Sequence, residues 1–468
     1  FKQKTAYEML RSLVGSEMCI RDRINRERNL EYGGKCVEAV PHIPYEVIDR
    51  IKKAEEKTNA EITIIEIGGT VGEFQNALYL EAARMMNLKN PDDVVILMVS
   101  YLPIPSKIGE MKTKPTQMAV RSLNEVGLMV DFLLCRSAQP IDVPRREKLA
   151  LFCNVKPENV ISAPDVDSVY DIPINFEKEN LGNKILAELK LEPRGQDLTE
   201  WRAFVDKVNQ VSQPIKVGIV GKYFESGDFI LPDAYISVIE SLKYAAWHNN
   251  RKPIIEWINS DLYEKEPQKL SELKNYDCLV VPGGFGSRGI EGKISAIQFA
   301  RENKIPYLGL CYGMQLATIE FARHVCGLND AHTTEINPHT LNPVIHIIPE
   351  QAEKLAKKQY GNTMRLGAYP CLLKEGTLAR SLYQKEEIFE RHRHRYEFNL
   401  AYKNKMEEKG LVFSGTSPDG ELVEIIELPL EQHPFFIGVQ FHPEFLSRPF
   451  KPHPLFFGLI KAGINRIH

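Results

Sequence analysis

The stretch Gly309-Leu310-Cys311-Tyr312-Gly313-Met314 lies between an apolar run at 305–308 and a helical pattern over 315–320. The apolar run predicts a buried strand. A small-x-Cys-x-small turn between a strand and a helix predicts a nucleophile elbow with sulfur as the attacking atom. We expect glycine on both sides because the turn is sharp and the backbone of the nucleophile is strained. The helix N-terminus behind the turn favours a thiolate and supplies backbone N–H donors.

A cysteine nucleophile needs a base, and the base needs a group that orients it. Both are predicted in Gln440-Phe441-His442-Pro443-Glu444, where a histidine and a carboxylate stand two residues apart. A lone cysteine on such a turn is as often a small buried hydrophobe as a nucleophile. The order of Cys311, His442 and Glu444 along the chain favours the nucleophile.

A glycine-rich turn, 282–286, follows the apolar run 277–280 one strand-helix unit before Cys311. Glycines there allow backbone N–H groups to approach a ligand and form an oxyanion hole. With the cysteine and the His-Pro-Glu segment, this turn makes residues 214–468 resemble a class I glutamine amidotransferase domain.

Composition places few limits on the partners of the chain. It is 43% hydrophobic and 26% charged, with a formal net charge of −3. These values are ordinary for a globular protein and do not indicate a nucleic-acid partner. No apolar run has membrane-spanning length, no signal peptide is visible, and the eight cysteines include no Cys-x-x-Cys pair. We therefore expect a reduced cytoplasmic protein with no membrane partner.

Strand and helix patterns alternate from residue 24 to about 190, which predicts an α/β domain with a mostly parallel sheet. The predicted strands are 61–66, 93–101 and 130–135, and the predicted helices are 73–87, 115–126 and 145–152. Residues 191–213 are predicted to be a linker with a short helix near 198–208, and a second α/β domain to cover 214–468. Residues 1–23 resemble a translated sequencing adapter and are interpreted as non-native, the alternative being a genuine disordered or helical N-terminus.

Two motifs of the first domain suit phosphate chemistry. Glu66 ends a predicted strand beside the glycines of 68–72, where a carboxylate suits Mg²⁺ bound to phosphates. Lys112 and Lys114 stand at a predicted helix start with Pro115 as a first helical residue, which suits an anion. The alternative for each motif is a solvated charged turn.

Several longer motifs of the chain resemble the CTP synthase family over residues 24–468. They are Gly-Gly-Thr-Val-Gly at 68–72, Lys-Thr-Lys-Pro-Thr-Gln at 112–117, Ala-Leu-Phe-Cys-Asn-Val at 150–155, Asp-Val-Asp-Ser-Val-Tyr at 165–170, Pro-Gly-Gly-Phe-Gly at 282–286, Gly-Asn-Thr-Met-Arg-Leu-Gly at 361–367 and Arg-His-Arg-His-Arg-Tyr-Glu at 391–397. The resemblance implies a glutaminase domain that releases ammonia. It also implies a partial Rossmann-like, P-loop-type amidoligase domain that uses ATP and ammonia to convert UTP to CTP.

The resemblance also implies roles for residues of the glutaminase domain. Cys311 would be the nucleophile, His442 its base and Glu444 the residue that orients the base. Gly284 and the amide after Cys311 would hold the oxyanion. Residues that would bind glutamine are Gly284, Tyr312, Gly313, Met314, Gln315, Glu335 and Arg395. Of these, the carboxylate and the guanidinium at the last two positions match the two charged ends of the amino acid.

In the amidoligase domain the resemblance implies nucleotide contacts, a metal ligand and a subunit arrangement. Residues that would contact UTP, CTP or ATP are Lys112, Lys114, Gln117, Lys148 and Asp165. Glu66 would bind Mg²⁺, and Thr363 and Arg365 would take part in the response to the activator GTP. The family forms homotetramers, which implies the same assembly here.

The chain departs from the family pattern in ways that limit this transfer. No Gly-x-x-x-x-Gly-Lys-Ser/Thr phosphate loop occurs in the 468 residues, so the amidoligase domain is interpreted as truncated and only the glutaminase half as complete. Gly72-Glu73-Phe74-Gln75 stands where the family has Gly-Asp-Ile-Glu, which leaves the roles of Glu73 and Gln75 open. Two alternatives remain: a glutaminase subunit of another synthetase, and a non-catalytic regulatory or filament-forming homologue.

Overall fold

The computed structural model describes residues 16–195, 197–221, 225–226, 229–230, 235–284, 288–347 and 364–467. The chain divides into two compact units, with the boundary between Val205 and Asp206. Each unit has its own sheet and its own apolar core. An α/β fold with two domains, each a mostly parallel sheet flanked by helices, is confirmed.

The described residues of the first unit form three strands and a larger number of helices. Its strands are β1 (Leu97–Tyr101), β2 (Phe132–Ser137) and β3 (Val160–Pro164). Its helices are α1 (Ser16–Arg28), α2 (Ala39–Thr58), α3 (Ala77–Lys89), α4 (Lys114–Glu125), α5 (Val143–Cys153), α6 (Ile172–Lys178) and α7 (Leu181–Glu188). Helix α8 (Thr199–Gln210) spans the boundary and agrees with the short helix predicted near 198–208.

The three strands of the first unit form a parallel sheet in the order β1-β2-β3. Strand β2 is central, and Phe132 and Leu133 on it are fully buried on opposite faces. Asp142 begins α5 because its carboxylate accepts the backbone N–H of Arg145, and Asn154 ends the helix in a left-handed conformation. Strands β1 and β2 agree with the strands predicted at 93–101 and 130–135, whereas β3 was not predicted.

The strand predicted at 61–66 is wrong, since these residues have no strand conformation. The side chain of Ile64 is 87% exposed, and Ile62 and Ile65 are also exposed. Alternating β-branched residues favour an extended backbone, but a strand also needs a neighbour that completes its hydrogen-bonded ladder. Within the described ranges, no strand pairs with this segment.

Helix α1 covers residues for which the sequence showed no clear periodicity. It packs on α2 through ion pairs. Arg23 lies 2.8 Å from Glu46, and Arg50 pairs with Asp22. Charged contacts of this kind leave no apolar stripe in the sequence, so the periodicity did not reveal the helix.

The second unit is larger. Its helices are α9 (Ile236–His248), α10 (Asp261–Lys265), α11 (Ile290–Glu302), α12 (Tyr312–His324), α13 (Leu378–Tyr383), α14 (Lys403–Glu407) and α15 (Pro454–Ile467). Its strands are β4 (Pro214–Gly221), β5 (Glu225–Ser226), β6 (Phe229–Ile230), β7 (Lys252–Asn259), β8 (Cys278–Val281), β9 (Tyr307–Leu310), β10 (Ala331–Thr333), β11 (Asn342–Ile347), β12 (Arg365–Leu373), β13 (Glu387–His394), β14 (Tyr396–Phe398), β15 (Val412–Thr416), β16 (Val423–Glu427) and β17 (Phe436–Val439).

The main sheet of the second unit has nine strands in the order β13-β12-β15-β16-β17-β9-β8-β4-β7. Strands β17, β9, β8, β4 and β7 are parallel, and β13, β12, β15 and β16 extend the sheet antiparallel. Parallel strands have their carboxyl ends at one edge. The residues that follow β8, β9 and β17 therefore meet at that edge.

Helices cover both faces of this sheet. Helices α11 and α12 pack on one face through residues such as Ile297, Leu316 and Ile319, all fully buried. Helices α9 and α15 pack on the other face through residues such as Leu242 and Leu459. Because both faces of the sheet are covered, every residue of the central strands β8 and β9 is buried, and both strands are apolar in sequence.

No helix in the described parts of the chain is both long enough and apolar enough to cross a membrane.

Candidate active site

Cys311 is the turn between β9 and α12, and its backbone is strained as predicted. Its φ of +49° and ψ of −98° lie outside the regions that a residue with a side chain ordinarily occupies. The residue is nevertheless 95% buried, being 5% exposed. Its backbone N–H donates to the carbonyl of Val439 on the neighbouring strand β17 at 2.6 Å, which holds the turn in place.

The two flanking glycines serve close packing rather than an unusual φ. A Cβ atom on Gly313 would lie 2.1 Å from the carbonyl oxygen of Val281, and one on Gly309 would lie 2.8 Å from the carbonyl carbon of Gly313. Tyr307 braces the same turn because its hydroxyl donates to the Gly313 carbonyl at 2.9 Å. The elbow therefore has no room for a side chain two residues before the cysteine or two residues after it.

His442 and Glu444 lie where β17 ends, on a short 3-10 turn that begins at Pro443. Nδ1 of His442 lies 2.8 Å from Oε1 of Glu444, and the His442 ring and Cys311 both lie against Gly283. Burial lowers the pKa of His442, but the charges and hydrogen bonds of Glu444 and Cys311 outweigh it and raise the pKa to about 10. The histidine is thus held as an imidazolium beside the sulfur.

The glycine turn after β8 contacts both members of this pair. A Cβ atom on Gly283 would lie 2.9 Å from Cε1 of His442 and 3.6 Å from Cβ of Cys311. The hydroxyl of Tyr235 donates to the Gly283 carbonyl at 3.3 Å. In a trans peptide the following N–H, that of Gly284, points the opposite way. Tyr235 thus orients the peptide expected to hold an oxyanion, a role that the sequence did not reveal.

A pocket with about 320 Å³ of space, part of it open to solvent, lies above the cysteine. It is lined by Gly284, Cys311, Tyr312, Gln315, Glu335, His394, Arg395 and Tyr396. Most of the residues expected to bind glutamine are therefore brought together. A carboxylate and a guanidinium among the lining residues suit a ligand with an ammonium and a carboxylate group.

Two residues that were expected to bind glutamine lie outside the lining of the pocket. The side chain of Met314 is fully buried in the apolar core, and Gly313 packs against Val281 at the first turn of α12. Neither lines the pocket. His394 and Tyr396, which do line it, were not predicted, although both stand in the quoted motif at 391–397.

Arg365, expected in the GTP response, begins β12 and is buried. It lies 2.6 Å from Oε1 of Glu424 and 3.4 Å from Nδ1 of His392, which in turn lies 3.1 Å from Nε2 of the pocket residue His394. Burial and the charge of Arg365 lower the pKa of His394 to about 3, so its ring is neutral. Thr363, the other residue expected in this response, lies outside the described residues.

The expected nucleotide-binding residues of the first unit lie around α4 and α5. Lys114 is exposed at the first position of α4, and Gln117 one turn on donates to Oγ1 of Thr113 at 3.1 Å. Lys112 lies 2.5 Å from Glu110. The charges of Lys112, Arg145 and Lys148 lower the pKa of Glu110. A cluster of cations thus forms near the N-terminus of α4, and Arg145 was not predicted.

The other residues singled out in the first unit are less clearly gathered into a site than the cations near α4. They are Asp165, Glu66, Glu73 and Gln75. Asp165 pairs with Arg136 at 3.3 Å. Glu66 is exposed, and no group of three His, Cys, Asp or Glu residues suited to a metal occurs in the described parts of the chain. Glu73 accepts hydrogen bonds from Gln75 at 2.9 Å and from the N–H of Thr70 at 3.0 Å, so its carboxylate caps the local turn. Glu66 therefore fits Mg²⁺ only as one ligand among substrate phosphates.

Comparison with known proteins identifies both units. Residues 12–191 match the family model described as CTP synthase N-terminus, and residues 230–462 match the model of class I glutamine amidotransferases. The CTP synthase of Prochlorococcus marinus (strain MIT 9215) is 48% identical over 95% of this chain and 81% of its own length. That of Methanocaldococcus jannaschii is 49% identical over 94% of this chain and 81% of its own length.

The chain belongs to the CTP synthase family. It is therefore a member of a family of glutamine-hydrolysing ligases, and not a glutaminase subunit of another synthetase. The match to the N-terminal model begins at residue 12, inside the segment 1–23 interpreted as non-native. Among solved structures, the Trypanosoma brucei CTPS glutaminase domain with bound acivicin is similar, with 33% identity and a TM-score of 0.49 over 54% of this chain and 94% of that one.

Proposed function

We propose that the Cys311 site hydrolyses the side-chain amide of glutamine and supplies ammonia for the amination of UTP to CTP. The observation that carries this proposal is the Cys311–His442–Glu444 arrangement at the carboxyl edge of three adjacent parallel strands. His442 and Cys311 both lie against Gly283, and Nδ1 of His442 lies 2.8 Å from Oε1 of Glu444. A thiolate and an imidazolium held in this way are the reactants of acyl transfer to sulfur.

In the proposed reaction the Cys311 sulfur attacks the amide carbon of glutamine. The N–H groups of Gly284 and Tyr312 hold the oxyanion that forms, and His442 gives its proton to the departing ammonia. A water molecule that loses a proton to His442 then hydrolyses the thioester and releases glutamate. Glu335 and Arg395, which both line the pocket, bind the ammonium and carboxylate ends of the substrate.

The proposed role of the first unit is to bind ATP and UTP. ATP phosphorylates O4 of UTP, and ammonia then displaces the phosphate. The cluster of Lys112, Lys114 and Lys148, with Gln117 beside it, supports binding of a triphosphate near the N-terminus of α4. Asp165 belongs to the proposed ATP contacts, and Glu66 would share Mg²⁺ with the phosphates, the ion neutralising charge on the transferred phosphoryl group.

Regulation and assembly complete the proposal. GTP is the proposed activator, with Thr363 and Arg365 in its response. The chain of contacts from Arg365 through His392 to the pocket residue His394 supports such a link. A cytoplasmic homotetramer, as in the family, is the proposed form, with domain limits at 24–190, 191–213 and 214–468.

A glutaminase assay with Cys311→Ala tests the proposal. The parent chain should release glutamate from glutamine, and the variant should not. Cys326→Ala is the matched control because Cys326 is also buried but lies beyond the C-terminal end of α12, near the Lys405 carbonyl. The control should keep parental activity. Equal glutamate release by the parent and Cys311→Ala would refute the proposed nucleophile, and a parent without activity would support a non-catalytic homologue.

A further inference from the structure

Gln440 lies beside the reactive sulfur and has no role in the mechanism above. Its Nε2 atom is 3.6 Å from Sγ of Cys311, and the side chain is almost fully buried. We propose that Gln440 stabilises and positions the Cys311 thiolate by donating an amide N–H to the sulfur, with Gln315 holding that amide in the donating orientation. This inference rests on the proposed function, because it adds a residue to the same site.

The hydrogen-bond partners determine which way both amides face. Nε2 of Gln315 lies 2.8 Å from the carbonyl oxygen of Tyr396, and only an amino group bonds a carbonyl. The same Nε2 atom lies 3.2 Å from Oε1 of Gln440 and donates its second N–H to that oxygen. The oxygen of Gln440 is thereby occupied, and its amino group is left to face Sγ. Turning the Gln440 amide over would place two amino groups against each other.

The backbone around Gln440 keeps this arrangement in register. Its N–H donates to the Glu424 carbonyl at 2.8 Å, which continues the pairing of β17 with β16. The preceding residue, Val439, accepts the N–H of Cys311 at 2.6 Å. Gln440 and Cys311 are therefore both held at the end of strand β17.

The sulfur needs a second hydrogen-bond donor because one of its neighbours favours negative charge on Sγ and another opposes it. Besides His442, the Arg393 carbonyl oxygen faces Sγ at 3.9 Å, and its negative partial charge repels negative charge on the sulfur. A hydrogen bond to the charged form offsets that carbonyl. It also restrains Sγ when His442 gives its proton to the departing ammonia.

Alkylation of Cys311 by iodoacetamide tests the inference without any bound substrate. The rate is measured on the full chain between pH 6 and pH 10 by mass spectrometry of the peptide that carries Cys311. Gln440→Met removes the donor at similar volume, and Gln440→Glu replaces it with a carboxylate. Gln298→Met is the matched control, since the Gln298 amide bonds only to Glu302 on the exposed side of α11 among the described contacts.

We expect Gln440→Met to slow alkylation at pH 7 by roughly tenfold and to move the pH of half-maximal rate upward by about one unit. Gln440→Glu should slow it further, and the control should match the parent. Glutamine turnover should fall mainly in kcat. An unchanged alkylation rate and pH profile in Gln440→Met, or in Gln440→Glu if the first variant does not fold, would overturn the inference.

The part assigned to Gln315 has its own test. If Gln315 acts on the sulfur only through Gln440, Gln315→Met should slow alkylation in the parent and have little further effect in Gln440→Met. If Gln315→Met slows alkylation equally in the parent and in Gln440→Met, the role assigned to Gln315 is overturned. The parent chain could fail to hydrolyse glutamine while alkylation of Cys311 still depends on Gln440. That result would refute the proposed function and leave this inference standing.

Discussion

Nδ1 of His442 lies 2.8 Å from Oε1 of Glu444, although only Pro443 separates the two residues in the sequence. The 3-10 turn that begins at the proline brings both side chains to the same side of the chain. Because the carboxylate occupies Nδ1, the other ring nitrogen is left for the sulfur. One short turn thus supplies both the base and the group that orients it.

The two residues of this turn should not be equally important for glutamine hydrolysis. We expect His442→Ala to lower kcat by about 10³-fold or more, since no other group moves the proton. Glu444→Gln keeps an acceptor for Nδ1 but loses the charge that stabilises the imidazolium, so its loss should be at least tenfold smaller. Steady-state glutamate release measures both, with the exposed Glu408→Gln as control. Equal activity in all variants would mean that another base operates.

The elbow should not tolerate a methyl group at Gly313. A Cβ atom there would lie 2.1 Å from the Val281 carbonyl oxygen, which is backbone and cannot move aside. We expect Gly313→Ala to destabilise the second unit by about 1–3 kcal/mol and to impair glutaminase activity. Gly182→Ala is the control because nothing lies within 4 Å of its added Cβ. Urea denaturation gives the comparison, and an unaffected Gly313→Ala would contradict the described packing.

His433 should make the second unit less stable in mild acid. Burial lowers its pKa to about 4, and its Nδ1 accepts the N–H of Phe435 at 3.2 Å, which a protonated ring cannot do. Below an unfolded pKa of about 6.5 the unfolded chain binds a proton that the folded one does not, so stability falls as the pH drops from 6.5 towards 4.

We expect this residue to account for roughly 2 kcal/mol of the stability lost between pH 7 and pH 5. The loss should be smaller by that amount in His433→Gln, and unchanged in His339→Gln, which alters an exposed histidine. Urea midpoints at the two pH values measure it. An identical loss in the parent and His433→Gln would contradict the assignment.

Lys114 should serve the nucleotide reaction and not glutamine hydrolysis. Its ammonium is exposed at the first position of α4, where a phosphate gains both a cation and the helix N-terminus. We expect Lys114→Ala to raise the UTP concentration needed for half-maximal binding by about tenfold while basal glutamate release stays near that of the parent. The exposed Lys89→Ala is the control. A selective loss of glutaminase activity would mean that Lys114 serves the glutaminase site and that its assignment to the nucleotide site is wrong.

Local chemistry explains which features the sequence predicted. The strand, strained cysteine and helix at 305–320 follow from a few adjacent residues, and the structure confirms the elbow at Cys311. The neighbourhood of Cys311 and His442 follows from strand ends that share one edge of a parallel sheet. These inferences need only the period of the pattern and the turn that follows it.

Features that depend on distant contacts were not predicted. Tyr235 acts on Gly283 across 48 positions, and Gln440 acts on Cys311 across 129, so no local pattern links them. The exposed isoleucines at 61–66 have a strand composition without a strand neighbour. Glu335 and Arg395 were expected from the family resemblance alone, and the folded pocket is what brings them together.

The most direct test of the central claim is the trapping of a glutamyl thioester on Cys311. Acid quench of the parent chain during glutamine turnover, followed by mass spectrometry, should show a glutamyl group on the peptide that contains Cys311. The adduct should be absent in Cys311→Ala and should build up more slowly in His442→Ala. Glutamine hydrolysis by the parent with no adduct on Cys311, or with an adduct on another residue, would contradict the account.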